Sequence, residues 1–111
     1  MPHEARALLE DMRLAAERIA QFTAGKTLAD YTGDAMVRSA VERQFEIVGE
    51  AASRLLRLDA SYVDKITDVR RIIAFRNILI HGYDAIDNRV VWEVVEFHLP
   101  KLREEVGGLI Q

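Results

Sequence analysis

The chain contains no cysteine, which excludes disulfides and thiolate metal sites and fits a reducing compartment. Proline occurs only twice, and no disorder-like tract, internal repeat or low-complexity segment interrupts the 111 residues. Charges recur every few residues from Met1-Pro2-His3-Glu4 onward, so neither a signal peptide nor a membrane span is expected. These absences predict a cytoplasmic protein. A basic excess is missing too: the net charge is -3 and the pI about 5.6. That argues against a generic nucleic-acid coat, though not against an enzyme that needs only a local cationic cleft. Arg70, Arg71 and Arg76 are the residues that could supply one.

What is present suits one folded domain, residues 1–111, with a single core: half the residues are hydrophobic and 30% are charged. No segment alternates like a strand, and the apolar residues recur at helical spacing. A first helix runs from about Glu4 to Phe22 on the stripe Leu8, Met12, Ala15, Ala16, Ile19 and Phe22. Thr23 to Tyr31, with Gly25, reads as a loop. Thr32 or Asp34 can cap a second helix reaching Leu58. Its stripe is Val37, Val41, Phe45, Val48, Ala52 and Leu55, and a second row at Ala40, Ile47, Ala51 and Leu58 widens the face enough for more than one neighbour.

Asp59 to Ile66 is a connection with one turn started by Ser61 and Asp64. Thr67 or Asp68 begins a third helix that should stop at His81, before Gly82. After a short loop from Tyr83, Asp87 caps a fourth helix holding Val91, Val94, Val95, His98, Leu102, Val106 and Leu109. Pro100 within it predicts a kink rather than a stop. The expected architecture is all-α, a bundle of four main helices.

The most informative stretch is Arg76-Asn77-Ile78-Leu79-Ile80-His81-Gly82-Tyr83. It sets an arginine, an amide, an imidazole and a phenol at the end of an oily helix that needs none of them for packing. Arg76 and His81 lie ~140° apart on an ideal helix, whereas Asn77 and His81 share a face. One straight helix does not aim the guanidinium and the imidazole together. A long arginine arm, a turn at Gly82 or a second subunit across a twofold would.

The chemistry of these groups suits a phosphodiester. RNA carries its own nucleophile in the 2′-OH, so cleavage needs proton transfer and charge stabilisation. His81 can take or give the proton, and Arg76 can hold the phosphate oxygens. Asn77 can orient His81 or donate to the phosphate, and Tyr83 offers a hydroxyl nearby. Blander roles compete for each. Arg76 could be bridged to Glu46 or Glu50, His81 could be a helix-end residue favoured by the dipole, and Tyr83 could anchor a loop. Glu46 and Glu50 share a face, but no histidine stands at ligand spacing to make a metal site. Trp92 reads as core or interface, and Arg70-Arg71 as wet surface that could touch RNA phosphates.

The string resembles the HEPN superfamily and, more closely, its HepT ribonuclease-toxin family, whose signature is arginine, four residues, histidine, one residue, tyrosine. Arg76, His81 and Tyr83 match in spacing, and Asn77 matches the polar residue after the arginine. Arg43-Gln44-Phe45-Glu46-Ile47-Val48-Gly49-Glu50-Ala51 looks like the family's second helix. Val90-Val91-Trp92 with Leu99-Pro100-Lys101-Leu102 looks like its last. The resemblance implies a metal-independent ribonuclease, with no cofactor of its own, acting as the toxin of a toxin–antitoxin pair. It also implies a homodimer with facing motifs, and a cognate MntA-like minimal nucleotidyltransferase that uses ATP to attach AMP to Tyr83. The alternative reading is a non-catalytic, nucleotide-binding scaffold subunit of a nucleotidyltransferase complex.

Overall fold

The computed structural model describes residues 2–110, apart from the side chain of Tyr83. Its helices are α1 (His3–Thr23), α2 (Leu28–Gly33), α3 (Ala35–Leu58), α4 (Val69–His81), α5 (Asn88–Glu93) and α6 (Leu99–Leu109). A π-helical turn, Val94–His98, joins α5 to α6, so the two run on as one helix. The four main helices are therefore α1, α3, α4 and α5–α6, and no strand occurs among the described residues. The bundle measures 42 × 28 × 19 Å, two helix layers thick. No helix among the described residues is long and apolar enough to cross a membrane.

α1 packs chiefly on α3, which packs in turn on α4, and α6 closes the bundle against α1. The core draws Leu9, Met12 and Ile19 from α1, Val41, Val48 and Leu55 from α3, and Val91, Leu102 and Val106 from the last helix. Burying each such side chain contributes roughly 1.5–3 kcal/mol. Arg103 donates to Glu17 at 2.8 and 3.0 Å, tying α6 to α1.

Local chemistry departs from the sequence reading in several places. Thr23 to Tyr31 is not simply a loop, because α2 starts within it. Thr27 accepts from the Asp30 amide while Asp30 accepts from the Thr27 amide, a reciprocal cap that nucleates one and a half turns. This turns Tyr31 fully inward to pack against Trp92, with ring centroids 5.4 Å apart and the planes tilted by 36°. Asp34, rather than Thr32, caps α3, accepting from Met36 and Val37.

The turn Ala60–Asp64 is started by Asp59, not by Ser61 or Asp64, since Asp59 accepts from the Ser61 amide. Asp68 precedes α4 but makes no cap. It sits in the left-handed region at φ 60°, while Thr67 donates twice to Glu105 of α6. That bond pair fixes how α4 enters the bundle.

α4 ends at His81 as expected, though Gly82 is not left-handed (φ -120°). A Cβ there would lie 3.1 Å from the Ile78 carbonyl oxygen, so glycine supplies clearance. Asp87 caps α5 through the Arg89 amide. The helix passes Pro100 by way of the π turn, whose Leu99 amide reaches back to the Val94 carbonyl. That wider turn shifts the buried face onto Val91, Val95, Leu99, Leu102 and Val106. His98, placed on the inner stripe by simple periodicity, is instead exposed.

Candidate functional site

The site begins where α4 crosses α3. A Cβ added to Gly49 would stand 2.2 Å from the Arg76 Cβ and 2.7 Å from its Cγ. Only glycine lets the stem of Arg76 lie against the α3 backbone. The guanidinium is then carried to Glu50, with Nη2 2.7 Å from Oε2. Its other terminal nitrogen, Nη1, donates to Asn77 Oδ1 at 2.9 Å. The third nitrogen, Nε, is buried and has no hydrogen-bond partner among the described residues. An unpaired buried donor costs about 1–3 kcal/mol, so this placement is enforced by the helix crossing rather than by ideal bonding.

Glu50 also accepts from Arg54 Nε at 3.0 Å, so one carboxylate lies between two guanidiniums. Glu46 pairs with Arg43 at 3.6 Å. These residues line a polar cleft of about 210 Å³ between α1, α3 and α4, to which Asp11 and Ile80 also contribute. No group of three or more acidic residues, histidines or cysteines is arranged to hold a metal ion among the described residues.

The structure thus brings Arg76 and Asn77 together and adds Glu50. His81 is exposed at the last turn of α4 and makes no hydrogen bond to either among the described residues. The cleft that holds Arg76 does not include His81. The bond from Arg76 to Asn77 nevertheless draws the guanidinium toward the α4 face that Asn77 shares with His81. Tyr83 begins a 3-10 turn directly after Gly82, and its side chain lies outside the described residues. Arg70 and Arg71 are exposed. Arg71 stands 3.9 Å from Asp68 and lines a different groove, so within one chain it does not share a cleft with Arg76.

That second groove, about 440 Å³ and largely apolar, lies between α4 and the last helix. Phe97 at its rim is 70% exposed, Ile78 53% and Val90 48%. α4 buries only Val69 and Leu79 completely, although it is oilier than α1, α3 and α6. Part of its apolar surface, Ile78 and Ile80 included, faces outward.

Gly49 escaped the sequence reading as a contributor to the site. Its signal was a lone glycine in the middle of a 24-residue helix, where glycine is unfavourable by roughly 0.5–1 kcal/mol and so calls for a close approach.

Comparison with known proteins agrees with the motif. Residues 12–108 match the family described as Ribonuclease HepT-like. The chain is 34% identical over 105 residues to "Putative RNase MJ1380" of Methanocaldococcus jannaschii, covering 93% of this chain and 94% of that one. It is 34% identical to "Probable ribonuclease HepT" of Thermococcus cleftensis over 86% of each chain. A longer Methanocaldococcus jannaschii protein, "Gamma-glutamylcyclotransferase and putative RNase MJ0434", is 32% identical over 86% of this chain and 42% of its own length. No solved structure matches. The chain belongs to the Ribonuclease HepT-like family.

Proposed function

We propose that this protein is a metal-independent endoribonuclease, the toxin of a toxin–antitoxin pair, acting on RNA such as tRNA or mRNA. The observation that carries the reading is the string Arg76-Asn77-x3-His81-x-Tyr83 at the end of α4, with Arg76 held against Asn77 at 2.9 Å. In the reaction, His81 removes the 2′-OH proton and the freed oxygen attacks phosphorus. Arg76 stabilises the charge that develops on the phosphate oxygens. The 5′-oxygen leaves with a proton from His81 of a second copy of the chain, and a 2′,3′-cyclic phosphate remains.

The motif supplies one imidazole per chain, and the apolar surface of α4 and Phe97 supports a homodimer that would bring two helix ends together. A cognate MntA-like minimal nucleotidyltransferase, using ATP, adds AMP to Tyr83 and puts bulk and negative charge where RNA enters.

The observation favouring the alternative, a nucleotide-binding scaffold without cleavage, is that Arg76 is already paired with Glu50. Incubation of purified protein with total RNA and EDTA separates the two. The expected result is cleavage that survives chelation and leaves cyclic-phosphate ends. RNA that stays intact, with the protein folded, overturns the ribonuclease reading and favours the scaffold.

A further inference from the structure

Glu50 faces Arg76 from the neighbouring helix, and an acidic group beside a phosphate-binding arginine is at first sight a competitor for it. Three features argue otherwise. The guanidinium has five N–H donors. Glu50 and Asn77 engage only Nη2 and Nη1, one bond each, which leaves a hydrogen on each terminal nitrogen for a phosphate oxygen. The carboxylate is shared with Arg54 at 3.0 Å, so it is not spent on Arg76 alone, and the cleft's three arginines balance Asp11, Glu46 and Glu50 rather than being outnumbered by them. Finally, Gly49 removes the side chain that would hold α4 off α3, so the arginine stem rests on backbone while its head is gripped on both sides.

Resting on the ribonuclease reading above, we infer that Glu50 is a positioning residue for Arg76, fixing the guanidinium in advance of the scissile phosphate. The gain is in orientation. An arginine side chain left free samples many rotamers, and misplacement of a catalytic group by about 1 Å costs on the order of a hundredfold in rate. Glu50 therefore acts on turnover more than on RNA affinity.

The test compares Glu50→Ala, Glu50→Gln and Glu10→Gln with the wild-type protein on one RNA substrate in EDTA, with unfolding midpoints recorded for each. Glu50→Ala is expected to lower kcat on the order of ten- to a hundredfold with little change in KM. Glu50→Gln, which keeps an acceptor of the same reach, recovers part of the loss. Glu10→Gln, which removes the partner of Arg13 on α1 outside the cleft, leaves kcat unchanged.

Wild-type kcat in Glu50→Ala overturns the inference, and so does a higher kcat, which would make Glu50 an inhibitory competitor. If Glu50→Ala does not fold, the Gln variant decides, because wild-type kcat there means that the ionic grip is not needed. A second readout is independent of cleavage. In 15N-labelled protein the Arg76 side-chain signals report restricted rotation, which is expected to be lost in Glu50→Ala and partly kept in Glu50→Gln. Should wild-type protein leave RNA intact, the ribonuclease reading falls, and the rotation signal alone decides whether Glu50 immobilises Arg76.

Discussion

At the scale of single residues, His81 and Arg76 bear the proposed chemistry and tolerate little. His81→Ala is expected to abolish RNA cleavage while leaving circular dichroism and the unfolding midpoint unchanged, because the imidazole is exposed. Arg76→Lys keeps the charge but loses the fork that spans Glu50 and Asn77. We expect a kcat loss of roughly 10²–10³ in a single-substrate assay, the usual effect of removing one oriented donor. Intact mass after co-expression with a nucleotidyltransferase checks Tyr83: AMP increments are expected on wild type and none on Tyr83→Phe.

Glu42 gives a pH prediction of definite sign. Burial, then repulsion from Glu46, raises its carboxyl above the ordinary value, with Arg38 opposing. A raised folded-state pKa means that Glu42's contribution is fully present below about pH 4.3, the unfolded value, and is lost as pH rises through the folded one. Calorimetry of Glu42→Gln should therefore show a higher midpoint than wild type at pH 7 and no gain at pH 3. At this scale the sequence was informative about Arg76, whose pairing with Glu50 was foreseeable from two carboxylates on one helical face. It said nothing of the angle at which α4 meets α3, which decides that the partner is Glu50 rather than Glu46.

At the scale of elements, caps and crossings matter more than helix propensity. The four main helices were legible because their apolar stripes are long and regular. α2 was not: six residues are too few to show a period, and only the Thr27–Asp30 pairing marks its start. His98 was misplaced because a constant 3.6-residue repeat carries no sign of a π turn. Asp30, Asp59 and Asp87 all have carboxyls held below their usual range, first by backbone amides at Thr27 and Arg89 and by the Ser61 hydroxyl. Their contribution is present above about pH 3.9 and is lost as pH falls through the lower folded values, so the midpoint of wild type should drop in acid. The α3–α4 crossing offers the sharper test. Gly49→Ala forces a Cβ to within 2.2 Å of Arg76, and urea unfolding should show a loss of about 1–3 kcal/mol despite alanine's better helix propensity.

For the whole molecule, the telling element is α4, which leaves Ile78 and Ile80 exposed. Its apolar residues were legible in the sequence, but whether they face the core of one chain or the surface of another is set by packing, not by pattern. Phe97→Glu, at the rim of the outer groove, is expected to leave the fold intact, give a monomer by light scattering, and abolish cleavage with it. A dimeric Phe97→Glu protein would assign the groove to another partner. The bundle's thickness of 19 Å has its own consequence. Two layers of helices leave no room for an internal channel, so under the ribonuclease reading a polynucleotide would pass over an edge of this protein and its open clefts rather than through it. One copy on its own would then grip backbone charge with little regard for sequence, and its hold would fade steeply as ionic strength rises. Discrimination among RNAs would arise only where two such edges meet and form walls.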